Sequence, residues 1–198
     1  MVSKGLQTKQ KIINKSLHLF SVKGYYNTSI NDILEATRLT KGGLYAHFKS
    51  KEDIWYAVHD QAVTIWKDIV FRDIRKIGDP IKRIEKVLDN NLRNYLGAEI
   101  IKGGCFFLNM LVELSGQSNA MGNCILKGIT DFSEVITRWL EEAYEKNMLK
   151  PGLNFNEIAK FIIVSINGCA ALYPLSRDPE TWKLTLAQIN FYIHALKK

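Results

Sequence analysis

The sequence lacks the short motifs on which most enzyme families depend. It contains no phosphate-binding P-loop, no dinucleotide-binding glycine pattern, no His-Glu-x-x-His metal motif and no nucleophile elbow. Its four histidines are scattered along the chain, at His18, His47, His59 and His194. We therefore expect no enzymatic activity, no metal site and no cofactor. An enzyme that carries a vestigial binding motif has little support.

Cysteines are few, and long apolar runs are absent. The three cysteines are odd in number and lack metal-binding spacing, which argues against both a disulfide framework and a zinc site. The longest nearly apolar run, residues 161–175, has fifteen residues and is too short to cross a bilayer. The first ten residues contain no apolar segment of signal-peptide length. These features predict a cytoplasmic protein with no membrane partner.

Acidic residues are scarce in the first quarter of the chain. Residues 1–51 hold eight Lys and one Arg against Asp32 and Glu35, a net charge of +7, which equals the net charge of all 198 residues. The remaining 147 residues carry 18 basic and 18 acidic side chains. A lysine-rich surface alone indicates only good solvation. Its coincidence with the motif described next favours a module that binds a polyanion.

The segment 28–50 reads as two short helices joined by a tight turn. Thr28 or Ser29 can cap the first helix, and Thr40 can cap the second. In the second helix, roughly residues 41–47, Leu44 faces the core at helical spacing. The outward positions at the leading end carry little bulk. Such a helix can enter a groove about 12 Å wide, as the recognition helix of a helix-turn-helix does.

The residues from Thr40 to Glu52 resemble the signature of the TetR family of transcriptional repressors. Its pattern is Thr/Ser, any residue, Gly, two more, Tyr, any, His/Tyr, Phe, any, Ser, Lys, Glu, which this chain matches over thirteen consecutive positions. Upstream, the positions that also match the family's first helix and its exit turn are Ile12, Leu19, Phe20, Gly24 and Tyr25. The resemblance covers about residues 8 to 56.

The resemblance implies an all-α protein of about nine helices. A helix-turn-helix DNA-binding domain would span residues 1–49, and an effector-binding and dimerisation domain would span residues 50–198. The residues implied to meet base edges are Lys41, Gly42 and Gly43. Those implied to hold phosphates, which fix register rather than read sequence, are Thr28, Ser29, Thr40, Tyr45, His47 and Lys51.

Arg38 departs from the family pattern, which usually has Gly in the turn before the recognition helix. A residue with a Cβ costs about 1 kcal/mol where φ is positive. Either the turn has another geometry, or Arg38 compensates by reaching a phosphate. Both readings stay open at the level of sequence.

Helical periodicity predicts six further helices after residue 50. The fourth helix has no Gly or Pro before Gly78, so it is expected to run from Lys51 to about Arg75 as a rigid lever. Asp79 and Pro80 fit the cap and first position of a fifth helix. The sixth is expected at 105–116, the seventh at 121–146, the eighth at 156–173, and the ninth follows Pro179.

The last two helices are expected to form the dimer interface. In the ninth, Trp182, Leu186, Ile189, Ile193 and Leu196 follow one another at spacings of 4, 3, 4 and 3, which is a narrow seam. The alternative is that both helices complete the core of one subunit. Resemblance to a family that dimerises through these helices favours an interface built from Ile158, Phe161, Ile162, Ile166, Cys169, Trp182, Leu186, Ile189 and Ile193.

Aromatic residues between the helices predict a cleft for a small hydrophobic or aromatic effector. The expected lining residues are Trp66, Phe107, Asn109, Met110, Leu111, Glu113, Trp139 and Tyr173, with the asparagine and the glutamate as polar anchors. A well-packed core would use the same residues, and only the resemblance to ligand-responsive regulators favours a pocket. Cys105 stands at a helix N-terminus, where the dipole could lower its pKa and make it a thiol sensor. The alternative, which we favour, is an inert and mainly structural thiol.

These features predict a homodimeric regulator that binds double-stranded DNA at an inverted-repeat operator. We expect a repressor that a small hydrophobic effector releases, although repressor and activator share the same pattern. The alternative is a DNA-binding regulator without a small ligand, triggered by cysteine oxidation, by electrophiles or by a protein partner.

Overall fold

The computed structural model describes residues 3–117 and 119–198. Within these residues it has nine α-helices and no strand beyond an isolated bridge, which confirms the all-α prediction. A single 3₁₀ turn follows α4 (Ile74–Lys76), and a π-helical segment follows α5 (Asn90–Leu96). The helices are α1 (Lys4–Lys23), α2 (Ile30–Thr37), α3 (Lys41–Tyr45), α4 (Lys51–Val70), α5 (Pro80–Asp89), α6 (Phe106–Leu114), α7 (Asn119–Glu145), α8 (Phe155–Ser176) and α9 (Pro179–Ala195).

Helices α1 to α3 form a small module, which we call the reading head. Its apolar centre consists of fully buried side chains from all three helices, among them Phe20, Ile33 and Leu44. α1 begins at Lys4 because the Ser3 hydroxyl accepts a hydrogen bond from the backbone N–H of Leu6 and caps the first turn.

Helix α4 leaves the reading head and runs into the larger bundle of α5 to α9, which we call the body. The prediction that α4 continues to about Arg75 is wrong, because the helix ends at Val70. The Asn90 amide donates hydrogen bonds to the carbonyls of Val70 and Arg72, at 3.0 and 3.2 Å, and so satisfies acceptors that the helix leaves free. Asp73 then adopts a positive φ of 64° and turns the chain.

The body keeps the predicted order of helices, with two changes of detail. Asp79 caps α5 and Pro80 occupies its first turn, as expected. α8 runs to Ser176 and contains Pro174, so it is longer than the predicted 156–173. With 22 residues, α8 is long and apolar enough to cross a membrane by length and composition, contrary to our estimate. One side of the helix packs on α7 and α9, as in the core helix of a folded domain.

The structure corrects which faces of α8 and α9 are free. Seven of the nine predicted interface side chains are at most 8% exposed, because they face the core of their own subunit: Ile158, Ile162, Ile166, Cys169, Leu186, Ile189 and Ile193. Trp182 is half-buried against Gly97 and Arg93, and only Phe161 is well exposed, at 52%. The seam read from the sequence therefore packs inside the subunit.

Candidate nucleic-acid interface and internal cavity

The second helix of the reading head presents a nearly bare surface to solvent. The Thr40 hydroxyl accepts a hydrogen bond from the backbone N–H of Gly43 at 3.2 Å and caps α3, while Leu44 anchors the helix in the core. Lys41, Gly42 and Tyr45 are exposed. A Cβ added at Gly42 would meet no atom of the described residues within 4 Å, so none of them requires glycine there.

An exposed glycine inside a helix lowers stability by about 1 kcal/mol relative to alanine. Because no neighbour within the chain explains Gly42, the surface it leaves bare is suited to an external partner that approaches the backbone closely. This is the geometry required of a helix that enters a DNA groove.

Arg38 ends α2 in the left-handed conformation, with φ 54° and ψ 39°. Its N–H donates to the carbonyl of Glu35 at 3.2 Å, and its side chain is exposed. The structure thus selects the strained turn over another geometry. The guanidinium lies on the surface beside α3, where it is free to reach a phosphate.

The remaining predicted contacts divide into exposed and internal residues. Ser29 is exposed, but its hydroxyl already serves the capping box with Asp32. The Lys23 ammonium, and after it the Ser29 hydroxyl, holds the pKa of Asp32 well below its usual range. His47 is half-buried at the end of α3. Only its outer edge remains available for a phosphate.

Thr28 and Lys51 are internal, which corrects their assignment to phosphates. Thr28 is fully buried, and its hydroxyl donates to the carbonyl of Gly24 at 2.6 Å. The Lys51 ammonium donates to the carbonyls of Tyr25 and Thr28, at 2.9 and 3.0 Å, and lies 4.2 Å from the centre of the Tyr25 ring. Burial lowers the pKa of Lys51, opposed by the nearby Glu113 carboxylate. Both residues hold the loop between α1 and α2.

The same loop is held from the other side by the body. The Glu113 carboxylate on α6 accepts hydrogen bonds from the backbone N–H groups of Tyr25 and Tyr26, both at 2.8 Å. Gly24 has a φ of 87°, and a Cβ there would come within 2.7 Å of that carboxylate. Asn109, one turn earlier on α6, donates to the carbonyl of Gly103 at 2.8 Å. We call the contact of Glu113 with the loop the α6 tie.

The body encloses a cavity of about 600 Å³ between α4, the π-helical segment, α6, α7 and α8. Five Trp, Phe and Tyr rings line it: Trp66, Phe71, Tyr95, Phe107 and Phe132. Its charged lining residues are all exposed and belong to its opening: Lys67, Lys127, Asp131, Glu134 and Arg138. The chamber is therefore mainly apolar inside with a charged rim, and its size suits a small organic molecule.

Only two of the eight predicted lining residues, Trp66 and Phe107, reach this cavity. Asn109 and Glu113 lie on the opposite face of α6 and serve the contacts described above. Met110 is fully buried beside the Trp55 ring nitrogen, 3.3 Å from its sulfur. Three others pack elsewhere: Leu111 and Trp139 lie partly buried against the core, and Tyr173 donates to the carbonyl of Gly97 beside a smaller cavity of about 120 Å³.

The π-helical segment contributes lining residues that the sequence pattern did not indicate: Asn91, Leu92, Tyr95 and Leu96. A π-helix changes the number of residues per turn, so α-helical periodicity assigns these positions to the wrong faces. π-helical turns are frequent at functional sites. That general tendency is the one signal that could have pointed to these lining residues.

Cys105 lines the cavity at the start of α6, without a capping side-chain bond. Burial raises the pKa of its thiol, and the backbone N–H groups of Leu108 and Phe107 lower it only in part. This environment agrees with the inert thiol that we favoured and not with the thiol sensor. The thiol stays protonated at neutral pH, which lowers its reactivity.

A three-helix head with a bare, basic outer helix, mounted on an all-α body, defines a helix-turn-helix DNA-binding regulator. Residues 12–58 match the family model for bacterial regulatory proteins of the tetR family, and residues 80–189 match a tetracyclin repressor-like C-terminal domain. The chain belongs to the TetR family of transcriptional regulators. Regulators of this family bind DNA operators and act as dimers.

Individual relatives agree with this assignment. A helix-turn-helix transcriptional regulator in the lacX 3′ region of Lactococcus lactis subsp. lactis is 30% identical over 93% of this chain and 89% of its own. The transcriptional repressor DhaR of Mycobacterium sp. (strain GP1) is 26% identical over 87% and 85%. A TetR transcriptional regulator from Chloroflexus aurantiacus J-10-FL superimposes with a TM-score of 0.90, at 26% identity, over 98% of both chains.

Gly42→Ala should stabilise the fold while it weakens DNA binding. The new methyl group meets no protein atom and improves helix propensity, so we expect the unfolding free energy to rise by about 0.5–1 kcal/mol. Against DNA, the methyl group keeps the backbone from the groove, at a cost of roughly 1–3 kcal/mol. Chemical denaturation and gel shifts measure the two effects. Gly122→Ala on α7 is the control, and unchanged DNA affinity of Gly42→Ala would refute a close approach of α3.

Lys51→Ala should act on stability rather than on phosphate contact. It leaves two partly buried carbonyls without their donor, so we expect a loss of about 1–3 kcal/mol in unfolding free energy. The slope of log affinity against log salt should stay as in the wild type. Lys49→Ala, which removes an exposed ammonium two residues away, should change stability by less than about 0.5 kcal/mol. A slope reduced by about 0.9 in Lys51→Ala would restore the residue to a phosphate.

Proposed function

We propose that this protein is a cytoplasmic, homodimeric repressor that a small, mainly apolar effector releases from an inverted-repeat operator. The observation that carries the proposal is the position of α6. One face of this helix contributes Phe107 to the cavity, and another face holds the loop of the reading head through Glu113. A molecule that fills the cavity therefore acts on the same helix that positions the DNA-binding surface.

Dimerisation is supported by a continuous exposed apolar stripe on α8. Its members recur at helical spacing and face away from the core: Phe161, Val164, Leu172 and Leu175 are 52, 69, 66 and 92% exposed. Gly168 lies within the stripe, and a Cβ there would meet no atom of the subunit within 4 Å. On α9, Leu184 and Phe191 are 58 and 72% exposed. Exposed apolar area of this extent on two adjacent helices fits burial against a second copy.

A two-fold dimer built on this stripe gives the operator its form. Two copies of α3 would face the DNA together, each in one major groove. Half-sites should therefore lie about 34–36 Å apart, one helical turn, and form an inverted repeat. The positive charge of residues 1–51 supplies the attraction to phosphates.

Effector release follows from the α6 tie. A ligand that lodges against Phe107 and Trp66 favours a position of α6 different from that in the ligand-free subunit. Through Glu113 the shift alters the loop of Tyr25 and Tyr26, and α4 carries the head with it. A ligand changes operator affinity only by its differential affinity for the two states, typically 1–3 kcal/mol, or about 5- to 150-fold.

A trigger based on thiol oxidation has less support. Cys105 is held in the cavity wall with a raised pKa, whereas reactive cysteines have lowered ones. Cys105→Ser should therefore keep its response to a small ligand. If oxidants or electrophiles release the wild type from DNA and Cys105→Ser abolishes that release, the thiol is the trigger instead.

Leu172→Glu should convert the dimer into monomers. The substitution places a charge in the middle of the exposed stripe, where a second copy would have to desolvate it. Native mass spectrometry at low micromolar concentration should show the monomer mass and weakened DNA binding. Leu126→Glu, at a 54% exposed position on α7, is the matched control and should stay dimeric. A Leu172→Glu dimer as stable as the wild type would place the interface elsewhere.

Glu113→Gln should uncouple the cavity from the DNA. The amide keeps the size of the side chain, but it has one acceptor oxygen for the two N–H groups and no charge. Operators selected from random DNA would be titrated with and without a ligand that co-purifies with the protein. The ratio of the two affinities should fall towards one, while ligand affinity persists. Glu145→Gln on α7 serves as control, and an unchanged ratio in Glu113→Gln would exclude the α6 tie as the route.

A further inference from the structure

Two neighbouring asparagines at the start of the π-helical segment have opposite environments. The Asn90 side chain is 2% exposed and fully engaged, because its amide donates to Val70 and Arg72 and its oxygen accepts from Asn94 at 3.0 Å. The Asn91 side chain is 7% exposed and lines the cavity. Within the described residues it forms no hydrogen bond.

The Asn91 amide bonds no other described residue, yet it is not among the polar atoms that the fold closes off completely, so it keeps accessible surface towards the cavity. A polar group that faces a mainly apolar chamber is placed to bond a molecule inside it. Its position supports this reading, since much of the wall around it is apolar, with Leu92 and Ile125 at most 1% exposed. The amide offers one donor group and one acceptor oxygen there.

Two more polar groups lie in the same wall. Asn167 on α8 donates its amide to the carbonyl of Ile163 at 3.0 Å, so its side-chain oxygen remains an acceptor. Tyr95 follows Asn91 by four residues along the π-helical segment, and its buried hydroxyl has no partner among the described residues. Burial raises the pKa of Tyr95 well above its ordinary value, so the hydroxyl keeps its proton.

No lysine, arginine or carboxylate lies in this inner wall within the described part of the chain. Those that line the cavity are all exposed at its opening, and Lys127 pairs with Asp131 at 2.7 Å. His59 also lines the cavity, but its ring stacks on Trp55 and lies 3.5 Å from the Asp60 carboxylate. A buried ligand anion would thus find no lysine or arginine beside Asn91. An uncharged hydrogen-bonding group would find both donor and acceptor.

We propose that Asn91 is the polar anchor of the cavity and selects an uncharged, mainly aromatic ligand with one hydroxyl or carbonyl group. The aromatic rings of the wall hold the apolar part, and the Asn91 amide bonds the single polar group. This inference rests on the proposed role of the cavity as an effector site, and it names the chemical class of that effector.

Three probes of equal ring size test the anchor: naphthalene, 2-naphthol and the 2-naphthoate anion. Each is titrated calorimetrically into full-length wild type, Asn91→Leu and Asn90→Leu at neutral pH. We expect wild type to bind 2-naphthol about 2- to 10-fold more tightly than naphthalene, as one net hydrogen bond provides, and to bind 2-naphthoate most weakly.

Asn91→Leu should remove the preference for 2-naphthol and bind naphthalene at least as well as wild type. Its melting temperature should match or exceed that of wild type, because the Asn91 amide bonds no other described residue and its loss leaves no partner unpaired. Asn90→Leu is the matched control. It should melt at a lower temperature, because two carbonyls lose their donor, while any folded fraction keeps the preference. A retained preference in Asn91→Leu, or a loss of stability equal to that of Asn90→Leu, would overturn the assignment.

The outcomes separate this inference from the proposed function. If all three probes bind equally and release operator DNA, the effector cavity stands and the Asn91 anchor fails. If 2-naphthoate binds most tightly, the rim cations select the ligand and the anchor also fails. If 2-naphthol binds through Asn91 but leaves operator affinity unchanged, the anchor stands and the release mechanism fails. If no probe binds the folded protein, both fail.

Discussion

The arrangement of the molecule depends on two hydrogen bonds, from the backbone N–H groups of Tyr25 and Tyr26 to the Glu113 carboxylate. They are charge-assisted and therefore stronger than bonds between neutral groups. Lys51 holds the carbonyls of the same loop from the other side. The loop between α1 and α2 is thus fixed by an anion from the body and a cation from α4. Small movements of either helix change its position.

The π-helical segment connects the other end of α4 to the cavity. Asn90 satisfies the last carbonyls of α4, and the next residue, Asn91, faces the cavity. One short segment therefore fixes where the lever ends and forms part of the ligand-facing wall. The first residue of α4, Lys51, bonds the head loop, which Glu113 of α6 also bonds. The last residue of α4, Val70, bonds the π-helical segment directly. A ligand in the cavity would touch both α6 and this segment. Because of these two contacts, a ligand that shifts α6 or the π-helical segment would also shift α4 and the reading head.

Local signals predicted local structure well. Thr40, Ser29 and Asp79 cap helices as their side chains suggested, and the matched signature runs from the cap of α3 to the first residues of α4. Which face of a helix is buried in the subunit and which is exposed was less predictable. α8 and α9 have apolar residues on two sides, and periodicity cannot say which side the subunit itself covers. The seam of α9 turned inward, and the exposed stripe through Leu172 remained outside.

The candidate site was hard to predict because it depends on contacts distant in sequence. Lys51 has the spacing of a phosphate contact, yet it bonds carbonyls 26 and 23 residues earlier. Glu113 has the pattern of a pocket anchor, yet it bonds a loop 88 residues away. Asn91 was missed because its orientation follows from a π-helical turn. These placements arise from tertiary packing, and only a residue's partners reveal them.

Amide hydrogen exchange at Tyr25 and Tyr26 tests the central claim most directly. It would be followed by NMR in the wild-type protein with and without saturating 2-naphthol. If the cavity acts on the reading head through α6, these two amides should be protected in the free protein and exchange faster with ligand bound. The amides of Ile12 and Leu17 in α1 should change little. Unchanged protection at Tyr25 and Tyr26, in a protein whose operator affinity the ligand lowers, would contradict the account.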